Sequence, residues 1–194
     1  MHAKLLTGGL LPLATTLASE SIFTAFLSED KADALLHGHS YTAHAVGCEV
    51  ARESLRVMMG MEQKGVWDAF ADDWKGDAGA VVSGNSAGND AVRSSSAWSM
   101  WSRDFVVGLS FREDVESVLA LGSVLAVSLR DPAGSGYTST AAIGVRDRLL
   151  AGAAGAEQVV HSRVLGNVLY LMASITSSKE TVVHVEEMVK AALG

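Results

Sequence analysis

The chain has 194 residues, of which 48% are hydrophobic and 19% charged, with a formal net charge of −7 at pH 7. This length suits one ordinary domain or two small ones, and the apolar content excludes a globally disordered chain. The acidic balance argues against nucleic-acid binding, the lack of a long apolar run argues against a membrane span, and the single cysteine excludes a disulfide framework.

The first part of the chain predicts one strand and two helices. Gly8-Gly9 indicates a turn, and the apolar residues 10–18 that follow predict a buried strand, although Pro12 cannot donate to a ladder. Ser19 is a typical N-cap for a short helix that reaches about Phe26. Apolar residues that recur near a 3.6-residue period predict an amphipathic helix over about 43–62.

The second part mixes strands and helices after a stretch rich in small residues. Residues 76–96 are rich in Gly, Ser, Ala and Asn and predict an exposed loop or linker. The later elements are a strand pair or one bent strand over 117–129, a helix over 138–152, short strands at 159–160 and 168–171 around the turn Gly166-Asn167, and a helix over 179–192 capped by Ser178. This order predicts an α/β part followed by an α+β part.

One cluster of residues is a candidate metal site. His37 and His39 flank a single glycine, and His44 and Cys48 lie one helical turn apart farther along. A zinc site would require a further carboxylate or histidine at a defined spacing, and none is present. We therefore expect ordinary loop histidines and no metal, and keep a histidine-based metal protein as an alternative.

Lys4 is a candidate nucleophile because it lies among apolar and small residues with almost no charged neighbour. An amine in an apolar cleft is less easily protonated and becomes nucleophilic, so we expect such a cleft here. Most lysines near an N-terminus are solvated surface cations, and spacing alone does not exclude that role.

Three blocks of sequence resemble the class III aminotransferases, which bind pyridoxal phosphate. They are Ala3-Lys4-Leu5-Leu6-Thr7-Gly8-Gly9, His37-Gly38-His39-Ser40-Tyr41 and Ser162-Arg163-Val164-Leu165-Gly166-Asn167-Val168-Leu169-Tyr170-Leu171-Met172. Their details are similar to the branch that acts in biotin synthesis, in the eukaryotic form where a dethiobiotin synthetase domain comes first. The resemblance implies an α/β fold, the C-terminal portion of a fold-type I transferase.

The resemblance also assigns domains and site residues. Residues 1–62 would be the tail of the large cofactor-binding domain, 63–97 a linker or insertion, and 98–194 the small C-terminal domain. Lys4 would be the catalytic lysine that binds pyridoxal phosphate. Further cofactor contacts are implied for Gly38, His39 and Ser40, and substrate contacts for Arg163, which would bind the carboxylate of the keto acid, Tyr170 and Gly9.

The implied reaction transfers the amino group of S-adenosylmethionine to 8-amino-7-oxononanoate and gives 7,8-diaminononanoate. A homodimer and a mitochondrial location are implied, although no presequence is seen; otherwise the location would be cytoplasmic. In the family, the phosphate loop, the stacking aromatic residue and the aspartate that pairs with the pyridine nitrogen all lie upstream of the lysine. We therefore expect the isolated chain to be inactive or impaired. The alternatives are a structural or dimerisation module without chemistry, and another class III enzyme with an ω-amino donor.

Overall fold

The chain divides into two compact units, Met1–Val66 and Trp67–Gly194. The computed structural model describes residues 2–33, 44–75, 97–152 and 158–194. The domain limits drawn from the sequence stay a prediction, but residues 67–75 differ from a linker. They contain helix α3 (Asp68–Asp73), whose Phe70 is buried in the core of the second unit.

The first unit contains one small antiparallel strand pair and two α-helices. Strand β1 (His2–Ala3) pairs with β2 (Ala14–Thr15), and a 3-10 helix (Lys4–Thr7) follows β1 directly. Helix α1 (Glu20–Thr24) follows Ser19, and helix α2 (Ala45–Gln63) is the longest element of the described chain. Both predicted helices are thus confirmed.

The buried strand predicted over residues 10–18 is wrong. Only Ala14 and Thr15 have strand geometry, and Leu10 and Leu17 are 77% and 75% exposed. An apolar run becomes a buried strand only where a second layer covers it, and the described part of this unit offers none. The run instead leaves apolar side chains on the surface.

The second unit is a four-stranded antiparallel sheet with helices packed against one face. The strands are β3 (Val115–Leu121), β4 (Val124–Leu129), β5 (Arg163–Leu165) and β6 (Val168–Met172), in the spatial order β3-β4-β6-β5. Of the two predictions for residues 117–129, the structure has the strand pair; the turn at Gly166-Asn167 and the strand after it are also confirmed, while the strand before that turn is β5. The strand predicted at residues 159–160 is wrong, because these residues join no ladder and Val159 is exposed.

The helices of the second unit supply the other side of its core. Their bounds are α4 (Arg103–Ser110), α5 (Ile143–Ala151) and α6 (Lys179–Leu193). Alternate residues of β4 and β6 point into this core, including Leu125, Val127 and Leu169, all with 0% exposure. Ser178 caps α6 as predicted, since its hydroxyl accepts a hydrogen bond from the Thr181 N–H at 3.2 Å. The helix predicted over 138–152 is confirmed over a shorter range.

Among the residues that the structure describes, helices of the second unit cover one face of the sheet only, and this asymmetry positions the candidate site. Side chains alternate between the two faces along each strand. The face away from the helices carries the exposed apolar residues Leu119, Leu121, Leu165 and Met172. None of the helices in the described ranges is long and apolar enough to cross a bilayer.

Candidate functional site

The Lys4 segment folds into a tight turn that holds the lysine backbone in an unusual conformation. Lys4 has φ 54°, and it is the one non-glycine residue with positive φ among those described. Residues other than glycine rarely adopt this left-handed region. Such a conformation is kept only where the surrounding structure holds the backbone in it. The sequence offered no signal for this conformation.

Two hydrogen bonds and a buried threonine fix that turn. The Gly9 N–H donates to the Lys4 carbonyl oxygen at 3.2 Å, and the Gly8 N–H donates to the Leu5 carbonyl oxygen at 3.0 Å. The Thr7 side chain is buried and donates to the carbonyl oxygen of Leu11 at 2.6 Å. The predicted residues Lys4 and Gly9 are thus brought together through the main chain.

The expected apolar cleft around Lys4 is absent from the described part of the first unit. Lys4 is exposed, as are both residues of β1 and both residues of β2. The strands on either side of the turn are too short to wall off a four-carbon side chain from water. The amine is therefore accessible, and none of the ion pairs formed by described residues uses it.

The predicted phosphate-binding residues Gly38, His39 and Ser40 lie outside the described residues, as does His37. The structure does describe the start of α2, which follows them. His44 is its N-cap, and the His44 Nδ1 atom accepts a hydrogen bond from the Gly47 N–H at 2.7 Å. Other N–H groups in the first turn of a helix lack intrahelical acceptors, which makes such a terminus suitable for an anion.

His44 has a role that the sequence does not predict. The sequence favours an ordinary loop histidine, with a metal ligand as the alternative, whereas its ring nitrogen caps helix α2. A possible signal was its place immediately before the apolar-periodic run, but histidine is not among the usual capping residues. Across the described ranges there is no group of three or more His, Cys, Asp or Glu residues that could bind a metal.

Arg163 and Tyr170 lie directly opposite each other on neighbouring strands of the second unit. They are register partners of β5 and β6, and Tyr170 is in turn the partner of Ala126 on β4. Directly opposed residues share one face of a sheet, so both side chains lie on the face that the helices leave open. The row continues to Leu119, the β3 partner of Ala126.

This open face combines one guanidinium group with apolar surroundings. Arg163 is exposed, Tyr170 is half-buried, and Leu165 and Met172 next to them are 56% and 66% exposed. The ion pairs of the described residues do not include Arg163. A free planar guanidinium binds a carboxylate in a bidentate manner, and the apolar neighbours suit an aliphatic chain attached to it.

Comparisons with known proteins agree with the resemblance drawn from the three blocks. The chain is 54% identical over 193 residues to the bifunctional dethiobiotin synthetase/adenosylmethionine-8-amino-7-oxononanoate aminotransferase of Emericella nidulans, covering 100% of this chain and 23% of that protein. It is 34% identical over 179 residues to the bifunctional dethiobiotin synthetase/7,8-diamino-pelargonic acid aminotransferase, mitochondrial, of Arabidopsis thaliana, covering 92% of this chain and 18% of that protein. The chain thus spans less than a quarter of these relatives. No family model matches it.

A solved structure shows the same fold. The adenosylmethionine-8-amino-7-oxononanoate aminotransferase from Methanocaldococcus jannaschii superposes with a TM-score of 0.63 at 23% identity, over 97% of this chain and 36% of that one. This likeness confirms the predicted fold class, the C-terminal portion of an aminotransferase.

Proposed function

We infer that this chain belongs to the class III, pyridoxal-phosphate-dependent aminotransferases, and we propose that the protein containing it acts in biotin synthesis. The reaction would move the amino group of S-adenosylmethionine to 8-amino-7-oxononanoate and give 7,8-diaminononanoate. The single observation that carries this proposal is the 54% identity across the whole chain to a protein named for that reaction.

Pyridoxal phosphate, when bound, withdraws electrons from the amino-bearing carbon of the substrate and so makes its proton acidic. The residues of the first unit fit such a group. The Lys4 amine is exposed and outside the ion pairs of the described residues, so it is available to condense with an aldehyde. The start of α2 supplies N–H groups without intrahelical acceptors that suit a phosphate, and the Ser40 block precedes this helix in the sequence.

The role of Lys4 follows from its amine and its fixed backbone. Its amine would hold the cofactor, and the same amine, when free, would carry a proton to and from the substrate carbon. A lysine on a freely rotating loop would sample many positions. The left-handed turn closed by Gly9 limits the positions of the Lys4 Cα and so favours productive proton transfer.

Arg163 is proposed to bind the carboxylate of the keto-acid substrate. 8-Amino-7-oxononanoate has a carboxylate at one end of an aliphatic chain. The two parallel N–H donors of the Arg163 guanidinium would bind the carboxylate, while Leu165 and Met172 would contact the methylene groups. Tyr170, opposite Arg163, would contact the substrate beside the guanidinium.

A homodimer and a mitochondrial location are part of the proposal. The first unit exposes many large apolar side chains, which in soluble proteins mark surfaces covered by other protein. They are Leu10, Leu17, Ile22, Phe23, Phe26 and Leu27. The location rests on the Arabidopsis and rice relatives, whose names include the word mitochondrial.

A module without chemistry is the second candidate function. The exposed position of Lys4 in the described part of the first unit favours it, because an active lysine is expected in a cleft. The open sheet face with Arg163 argues against it, since a purely structural part has no use for a free guanidinium among apolar residues.

An assay with defined donors and acceptors tests the proposal. The full-length protein that contains this chain, loaded with pyridoxal phosphate, is mixed with S-adenosylmethionine and 8-amino-7-oxononanoate, and 7,8-diaminononanoate is measured by mass spectrometry. We expect product with this pair, none with the Lys4→Ala variant, and none when an ω-amino acid replaces the sulfonium donor. Turnover with the ω-amino donor alone would favour another class III enzyme, and no turnover with either donor would favour the module.

A further inference from the structure

The position of Arg163 depends on the turn that joins β5 to β6. Strand β5 has only three residues, lies at the edge of the sheet and, of the described strands, pairs with β6 alone. So short an edge strand has few ladder hydrogen bonds to hold it. Besides its ladder with β6, the turn Gly166-Asn167 is therefore the part of the chain that can hold β5 in position.

A loop between β4 and α5 packs tightly against this turn. Gly166 has φ 62°, and a Cβ added there would lie 1.9 Å from the Gly136 carbonyl oxygen and 2.9 Å from the Tyr137 Cα. No other residue type fits that space, so the absence of a side chain at Gly166 allows the loop backbone to touch the turn. The loop thereby covers one side of the hairpin.

Asn167 ties the turn to three other segments through a side chain with 5% exposure. Its Oδ1 atom accepts from the Gly136 N–H at 3.1 Å, and its Nδ2 group donates to the Leu129 carbonyl oxygen at 2.9 Å and to Glu116 Oε2 at 3.3 Å. The main chain adds a bond from the Leu129 N–H to the Asn167 carbonyl oxygen at 2.9 Å.

Charged and polar groups around the loop strengthen this attachment. Glu116 Oε2 also accepts from the Ser135 hydroxyl at 3.2 Å, so one carboxylate contacts both the loop and the turn. The Ser139 hydroxyl, at the end of the loop, donates to the carboxylate of Asp131 at its start, and this bond holds the pKa of Asp131 below its usual range. The two ends of the loop are thus joined to each other.

We propose that Asn167 is a positioning residue for the proposed carboxylate site: by fixing the β5–β6 turn to β3, β4 and the 131–139 loop, it sets the position of Arg163. The proposal rests on the proposed function of Arg163. It assigns Asn167 no contact with substrate or cofactor. Displacing an edge strand by about 1 Å is enough to weaken a bidentate contact severely.

The test compares variants in the enzyme loaded with pyridoxal phosphate. Asn167→Ala removes the three side-chain hydrogen bonds of Asn167 and keeps its main-chain bond to Leu129. Glu116→Ala removes only an exposed partner, so the second variant still folds if the first does not. Two quantities are measured: the KM for 8-amino-7-oxononanoate, and the inhibition constant of nonanoate, a monocarboxylate probe that needs no chemistry. The rate of the half-reaction with S-adenosylmethionine serves as the internal reference.

For Asn167→Ala we expect both constants to rise about tenfold, and for Glu116→Ala about threefold, with the donor half-reaction unchanged. Glu186→Ala, a buried polar change elsewhere in the second unit, is the control for loss of stability and leaves both constants unchanged. Unchanged constants in folded Asn167→Ala, or in Glu116→Ala where the first variant does not fold, would overturn the role of Asn167.

The variant Arg163→Ala, measured in the same assays, tests the carboxylate site at Arg163 separately from the positioning role of Asn167. If Arg163→Ala raises both constants and the Asn167 and Glu116 variants do not, only the positioning role fails. If Arg163→Ala changes neither constant, the proposed carboxylate site fails, and the positioning role fails with it.

Discussion

The proposed roles of Arg163 and Tyr170 depend on their place in the sheet. The two residues are partners across β5 and β6, on the face without helices, and Ala126 and Leu119 extend the same row. A guanidinium in that row projects from an apolar surface and is accessible to a ligand. Its chemistry therefore follows from strand register, which sequence spacing alone does not provide.

The shape of the Arg163 side chain should matter as well as its charge. In Arg163→Lys the positive charge remains and the two parallel N–H donors are lost, so we expect the KM for 8-amino-7-oxononanoate to rise about tenfold. The half-reaction with S-adenosylmethionine should be unchanged. Steady-state and single-turnover kinetics measure the two effects, and equal KM values for the two proteins would contradict bidentate binding.

The first turn of α2 is an element whose stability rests on an uncommon cap. The Gly47 N–H donates to His44 Nδ1, so the ring nitrogen that caps the helix carries no proton. In His44→Ala the N–H loses its acceptor, and we expect unfolding to become easier by about 1 kcal/mol. Asn is a strong capping residue, so His44→Asn should retain the stability. Chemical denaturation measures both, and equal losses in both variants would contradict capping.

The start of α4 is held by a residue from a different helix. Glu186 on α6 is 3% exposed, and its carboxylate accepts from the Ser102 N–H and from the Ser102 hydroxyl, both at 2.6 Å. A carboxylate at a helix N-terminus also interacts favourably with the helix dipole. This contact joins α4 and α6 across the core.

Removing that carboxylate should destabilise the second unit. For Glu186→Ala we expect the free energy of unfolding to fall by about 2 kcal/mol, because the Ser102 donors lose a charged acceptor. The neighbouring Glu187 is exposed and its one ion pair within the described ranges is with Lys190, so Glu187→Ala should change stability by less than about 0.5 kcal/mol. Denaturant unfolding of both variants measures the difference. Similar losses in the two would argue against a special role for Glu186.

At the scale of the whole molecule, the sequence predicted the second unit far better than the first. The strand region over 117–129, the turn Gly166-Asn167, helix α6 and its Ser178 cap follow from local signals such as turn residues and regular periodicity, although the sequence places the strand before that turn at residues 159–160. These contacts are short-range, and the residues that make them also bury one another. Local pattern and final structure therefore agree.

The first unit was harder to predict because its apolar residues are not buried within it. The run from Leu10 to Leu17 has the composition of a core strand, yet it lies exposed. The apolar composition of a segment indicates that it can be buried, but it does not indicate which other part of the structure covers it. The positive φ of Lys4 and the network of Asn167 were also beyond sequence reasoning, since both depend on contacts with particular main-chain atoms.

The proposed aminotransferase function depends on Lys4 being the amine that condenses with pyridoxal phosphate. The most direct test incubates the protein with pyridoxal phosphate, reduces it with borohydride and maps the stable pyridoxyl group by peptide mass spectrometry. The matched comparison is the set of other lysines in the chain, Lys31, Lys64, Lys75, Lys179 and Lys190. We predict that the label lies on Lys4, that the other five stay at background, and that Lys4→Arg abolishes the labelling. A label spread over the other lysines, with Lys4 no more reactive than they are, would contradict the account.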